Sequence, residues 1–112
     1  MPLRDERFFL EDIRTAIDRI ASYASPGRDH FMSSNETQDA VVRNLEIIGE
    51  ASKRLSADTQ ARAPEVPWTA IAGTRDRLIH GYFAVNLELV WQTTERDMPT
   101  LRRAVEMMLE EE

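Results

Sequence analysis

Four side chains with chemistry to offer, Arg75, Asp76, His80 and Tyr82, fall within eight residues of one another. An imidazole exchanges protons near neutral pH. A guanidinium keeps its charge and grips a phosphate through two parallel hydrogen bonds. Such a set can cleave RNA without a metal. The 2′-hydroxyl attacks the adjacent phosphate, the histidine takes its proton or protonates the leaving oxygen, and the arginine stabilises the charge growing on the phosphorane. One histidine does not easily act as base and acid at once. A homodimer that brings two copies of the segment together would supply both roles.

The spacing determines where these residues stand on the helix predicted from Trp68 to about Tyr82. On an ideal wheel of about 100° per residue, Trp68, Ile79 and Tyr82 fall within about 40° of Arg75, and Ile71, Ala72 and Leu78 within about 60°. Arg75 is thus centred on an apolar stripe, where a guanidinium needs an anion or a second subunit to be tolerated. His80 lies about 140° from Arg75, and Asp76 only about 40° from His80. Four residues apart, Asp76 and His80 are neighbours on a helix surface, and the aspartate can orient the imidazole and raise its pKa.

The same residues are compatible with plainer roles. Arg75 can be a core arginine paired with Glu46 or Glu50 of the preceding helix, His80 a surface or capping histidine, and Tyr82 a core tyrosine with its hydroxyl at the rim. Asp76 can be a helical pairing partner and nothing more. Met98, Met107 and Met108 read as core or dimer packing rather than a cofactor box, and Glu110–Glu112 as a solvated tail. His30 reads as a loop residue.

The elements that must hold this segment are helical. A first helix is predicted from about Asp5 to Ala24, with Phe9, Ile13, Ala16, Ile17, Ile20 and Ala24 on one stripe, ended by Ser25-Pro26-Gly27. A second runs from Asn35, read as its N-cap, to about Leu55, with Val41, Leu45, Ile48, Ser52 and Leu55 sharing a face. A polar loop with Pro64 and Pro67 leads to the third. The fourth starts near Asn86, and Pro99 inside it predicts a kink, or a restart capped by Asp97. With no strand pattern anywhere, the expectation is an all-α antiparallel bundle of four to five helices in a single domain over residues 1–112.

Composition narrows the class. The chain has 112 residues, 42% hydrophobic and 30% charged, which suits one globular domain. No apolar run approaches the roughly 20 residues that span a bilayer. The charged N-terminus shows no signal-peptide pattern. Cysteine is absent and there are two histidines, His30 and His80, so a metal site of thiolates or clustered histidines is not expected, and a cytoplasmic location is. The net charge of −6 excludes binding of nucleic acid by broad electrostatic attraction. Contacts to RNA phosphates must be local, or a partner must supply positive charge.

The segment Arg75-x4-His80-x-Tyr82 resembles the R-x4-H-x-Y signature of the HEPN superfamily, specifically the HepT-like toxins. The likeness extends to Phe9-Leu10-Glu11-Asp12-Ile13, to Gln38–Ala51, to Val66-Pro67-Trp68 and to Leu87-Glu88-Leu89-Val90-Trp91. It implies a dimerising helical bundle whose two motif copies face a shared cleft. It implies a metal-independent endoribonuclease without cofactor, acting as the toxin of a type VII toxin–antitoxin pair, with transfer RNA the expected substrate. The implied partner is an MntA-type minimal nucleotidyltransferase antitoxin that attaches AMP to the motif tyrosine. By that resemblance Arg75 and His80 are catalytic, Asp76 is a supporting residue and Tyr82 is the modified hydroxyl. Asn44, Glu46 and Glu50 are candidates for supporting Arg75. The alternative is a non-catalytic helical partner of a nucleotidyltransferase, with Arg75 as an anion anchor.

Overall fold

The computed structural model describes residues 6–80 and 86–111, with the backbone alone over 75–80. Among these residues the architecture is all-helical. Four long helices, α1 (Arg7–Ala24), α3 (Asn35–Lys53), α5 (Trp68–His80) and α6 (Leu87–Glu110), are joined by two short ones, α2 (Arg28–Ser33) and α4 (Ala57–Ala61). The four long helices are those the hydrophobic spacing predicts. The short ones are too brief to show a period, and the sequence reading takes both as loop.

α1 forms because Leu10, Ile13, Ala16, Ile17 and Ile20 recur at helical spacing, and all five are buried. Each of the larger ones contributes roughly 1.5–3 kcal/mol by leaving water. α1 packs against both α3 and α6. It runs antiparallel to α6: Arg7 at its start donates to the carbonyl of Leu109, and Asp18 further along pairs with Arg102. Gly27 makes the tight exit from α1 with a φ of +105°, a conformation that L side chains rarely adopt. α2 then folds Phe31 fully into the core against Trp91, ring centroids 5.3 Å apart. His30 accordingly sits on a helix, with its Nε2 3.1 Å from Thr37 Oγ1.

The helix starts are set by short polar side chains that satisfy free backbone donors. Ser34 caps α3 by accepting from the Thr37 amide, so the cap lies one residue before the predicted Asn35. Ser56 accepts from Thr59 at α4, and Asn86 from Leu89 at α6. The restart expected at Pro99 does not occur. α6 runs unbroken from Leu87 to Glu110, held on both sides of the proline by buried Met98 and Leu101. Proline loses one backbone bond there, and the packing of its flanks outweighs that loss. Met98 and Met108 are buried as expected, but Met107 is 58% exposed. Glu110 and Glu111 are exposed to solvent as expected, and Glu111 also ion-pairs with Arg62 at 3.1 Å. No helix among the described residues is long and apolar enough to cross a membrane.

Candidate functional site

α5 carries the motif. Its start is fixed by Trp68, which is 7% exposed and whose indole Nε1–H donates to the carbonyls of both Gln60 and Ala63 at 3.0 Å. The Trp68 amide donates to Val66, and the Ile71 amide to Pro67. Trp68 and Ile71 are buried, as the predicted apolar stripe requires. Gln60 Nε2 donates to the carbonyl of Ser52 near the end of α3. α5 therefore begins beside the C-terminal end of α3 and packs back along it. Arg75, seven residues on, stands about 10 Å up the axis from Trp68.

Arg75, Asp76 and His80 all lie on α5. The helical register that the wheel assumed is thus the observed one, and positions 69, 73, 76 and 80 share a strip on the side away from buried Trp68 and Ile71. Tyr82 and Gly81 lie outside the described residues, as does the end of the predicted third helix. α3 is the helix against which α5 packs substantially among the described residues. Thr69 and Ala70 are exposed, and Gly73 has nothing within 4 Å of where a Cβ would stand. Among the described residues, one flank of the motif helix is therefore uncovered over its first two turns.

The three supporting candidates lie on α3. Asn44 is buried, 5% exposed, and its Nδ2 donates to the carbonyl of Ala40 at 2.8 Å. Its Oδ1 is buried with no hydrogen-bond partner among the described residues. Glu46 and Glu50 instead line a groove of about 340 Å³ with Phe9, Asp12, Arg43, Ile47, Ala51 and Arg54. The residues lining that groove belong to α1, to α3 and to Arg54 at the end of α3. Arg54 lies 5.9 Å above the Phe9 ring there. No group of three or more His, Asp or Glu residues suited to hold a metal ion occurs among the described residues.

One residue that the sequence reading missed also belongs to this framework. Glu6, 7% exposed, accepts hydrogen bonds from the Ser56 amide, from Ser56 Oγ at 3.0 Å and from Thr59 Oγ1 at 2.7 Å. A glutamate in a charged N-terminal run carries no pattern that distinguishes it from its solvated neighbours. The polar residues it meets lie 50 or more positions away.

The chain resembles proteins named for ribonuclease activity. A family model described as "Ribonuclease HepT-like" matches residues 13–108. A protein of Thermococcus cleftensis named "Probable ribonuclease HepT" is 41% identical over 106 residues, covering 94% of this chain and 96% of that one. Two proteins of Methanocaldococcus jannaschii with provisional RNase names are 38% and 35% identical over 112 residues. Each alignment covers 99% of this chain, and 93% and 97% of theirs. No solved structure matches the chain significantly. A match that takes in the motif helix and its packing partners, at such coverage, places the chain in the HepT-like ribonuclease family.

Proposed function

We propose that this HepT-like ribonuclease cleaves RNA internally, without a metal, through Arg75 and His80. The observation that carries the reading is the placement of both on α5, a helix anchored at its start and open along one flank. His80 moves the proton of the 2′-hydroxyl or of the leaving oxygen, and Arg75 meets the charge on the phosphorane. Asp76, one turn before His80, orients the imidazole.

The two catalytic positions lie about 140° apart on the helix, so within one chain Arg75 and His80 make a poor pair for acting together on one phosphate. A second copy facing the open flank of α5 completes the site. The activity serves as the toxin of a toxin–antitoxin pair, with transfer RNA as substrate. An MntA-type nucleotidyltransferase is the antitoxin, and it attaches AMP to Tyr82. An adenylyl phosphate about 20° from Arg75 on the wheel would neutralise the guanidinium and occupy the space of an RNA phosphate.

The test is degradation of transfer RNA by the purified protein in EDTA. Wild type is expected to cleave, and His80→Ala to lose at least about 100-fold in rate with its helical content and unfolding temperature preserved. Full activity in His80→Ala would remove the catalytic assignment. A wild-type protein that binds a nucleotidyltransferase and cleaves nothing would favour the non-catalytic partner.

A further inference from the structure

Among the described residues, α5 is held by its packing on α3 and by bonds at its first turn. It is 13 residues long and packs substantially on α3. Its first turn is tied to the rest of the chain by the indole of Trp68, which donates to Gln60 and Ala63. Those two carbonyls belong to α4 and the turn that follows it, with Ala63 itself donating to Gln60. α4 is five residues long, too short to be stable alone. Besides the indole bond itself, side-chain hydrogen bonds tie it at both ends. Gln60 Nε2 reaches back to Ser52 at 3.1 Å. At its other end, the buried carboxylate of Glu6 accepts from the Ser56 amide and from the hydroxyls of Ser56 and Thr59. The Glu6 backbone carbonyl in turn receives the first amides of α1, from Phe9 and Leu10. A continuous hydrogen-bonded path thus runs from the start of α1 through α4 to the start of α5.

We infer that Glu6 is a positioning residue for the ribonuclease site, acting through α4 and the Trp68 indole on the axis of α5. The inference rests on the reading that α5 carries the catalytic pair. From Trp68 to His80 the helix is a lever of about 18 Å, so a tilt of about 4° at its anchored end moves the His80 backbone by more than about 1 Å. A displacement of that size at a reacting group can cost up to about 100-fold in rate. Thr59, 1% exposed, and Trp68 are the intermediate links; Thr59→Val cuts the first with little change in volume, and Trp68→Phe removes the indole N–H together with part of the ring.

The experiment measures kcat and KM for RNA cleavage, and amide hydrogen exchange helix by helix, on the full chain. The variants are Glu6→Ala, Glu6→Gln, Thr59→Val, Trp68→Phe and Glu6→Ala/Trp68→Phe. Glu6→Ala and Trp68→Phe are each expected to lower kcat about tenfold with KM within about twofold, because the links set geometry and do not touch RNA. Glu6→Gln keeps an acceptor oxygen and should recover part of the loss. Exchange should rise in α4 and α5 while α1 and α6 hold their protection. The double variant should be no worse than the poorer single one, since both cut one path. Singles within about twofold of wild type in kcat, losses that multiply in the double variant, or exchange that rises equally in every helix would each overturn the inference. A wild-type chain without ribonuclease activity would sink the parent reading instead. Exchange in α4 and α5, and coupling between Glu6 and Trp68 in unfolding free energy, would then still decide whether the path holds α5.

Discussion

At the scale of single residues, the chemistry rests on charge that this protein has to place locally. With a net charge of −6, it cannot gather RNA by its overall field, so a fixed guanidinium at the phosphate matters more than it would on a basic surface. Arg75→Lys is therefore expected to lower cleavage by about 10-fold or more despite the retained charge, because an ammonium does not form the bidentate pair. Comparing the rates of the two proteins at several salt concentrations checks it; equal rates would reduce Arg75 to a point charge. Tyr82 carries the regulatory proposal. Incubation with the nucleotidyltransferase and ATP should add AMP at Tyr82, read by peptide mass spectrometry. Tyr82→Phe should then escape neutralisation. Labelling at another residue, or normal neutralisation of Tyr82→Phe, would refute the switch.

At the scale of elements, α5 contains an expensive residue. Gly73 sits in its interior, where glycine costs roughly 0.5–1 kcal/mol against alanine. Among the described residues, and apart from its own helix backbone and chain neighbours, nothing lies within 4 Å of an added Cβ there, so their packing does not require the glycine. Gly73→Ala should thus raise the unfolding free energy by about 0.5–1 kcal/mol in dilute protein, measured by urea denaturation. Gly73 also shares the strip with positions 76 and 80, and this open flank is where RNA or a second copy would approach. A destabilised Gly73→Ala protein would show that another chain already fills that space. α6 is the opposite case: a local rule against proline is overridden because Met98 and Leu101 bury the helix on either side.

At the scale of the whole molecule, each chain supplies one histidine to the motif, and the proposed mechanism asks for a base and an acid. The active species should be a dimer, so light scattering should give twice the chain mass. Specific activity should also fall as dilution takes the protein below its dissociation constant. Activity per chain that stays constant through the monomer range would return both proton transfers to one chain. The Glu6 path belongs to this scale too, since it carries the position of α1 across more than 50 residues of sequence to the motif helix.

The sequence by itself determined the four long helices, because burial of an apolar face at a period of 3.6 residues is written locally, as in Leu10, Ile13, Ile17 and Ile20. It also determined the motif and its register, since Arg75, Asp76 and His80 are close along one helix whatever that helix packs on. Only the tertiary structure decided that Glu46 and Glu50 line a groove with Phe9 and Arg54, that α6 passes through Pro99 unbroken and that α2 and α4 are helical. It alone joined Glu6 to Ser56 and Thr59. These features depend on groups distant in the chain, and hydrogen bonds and packing between such groups leave no periodic trace in either partner's local sequence.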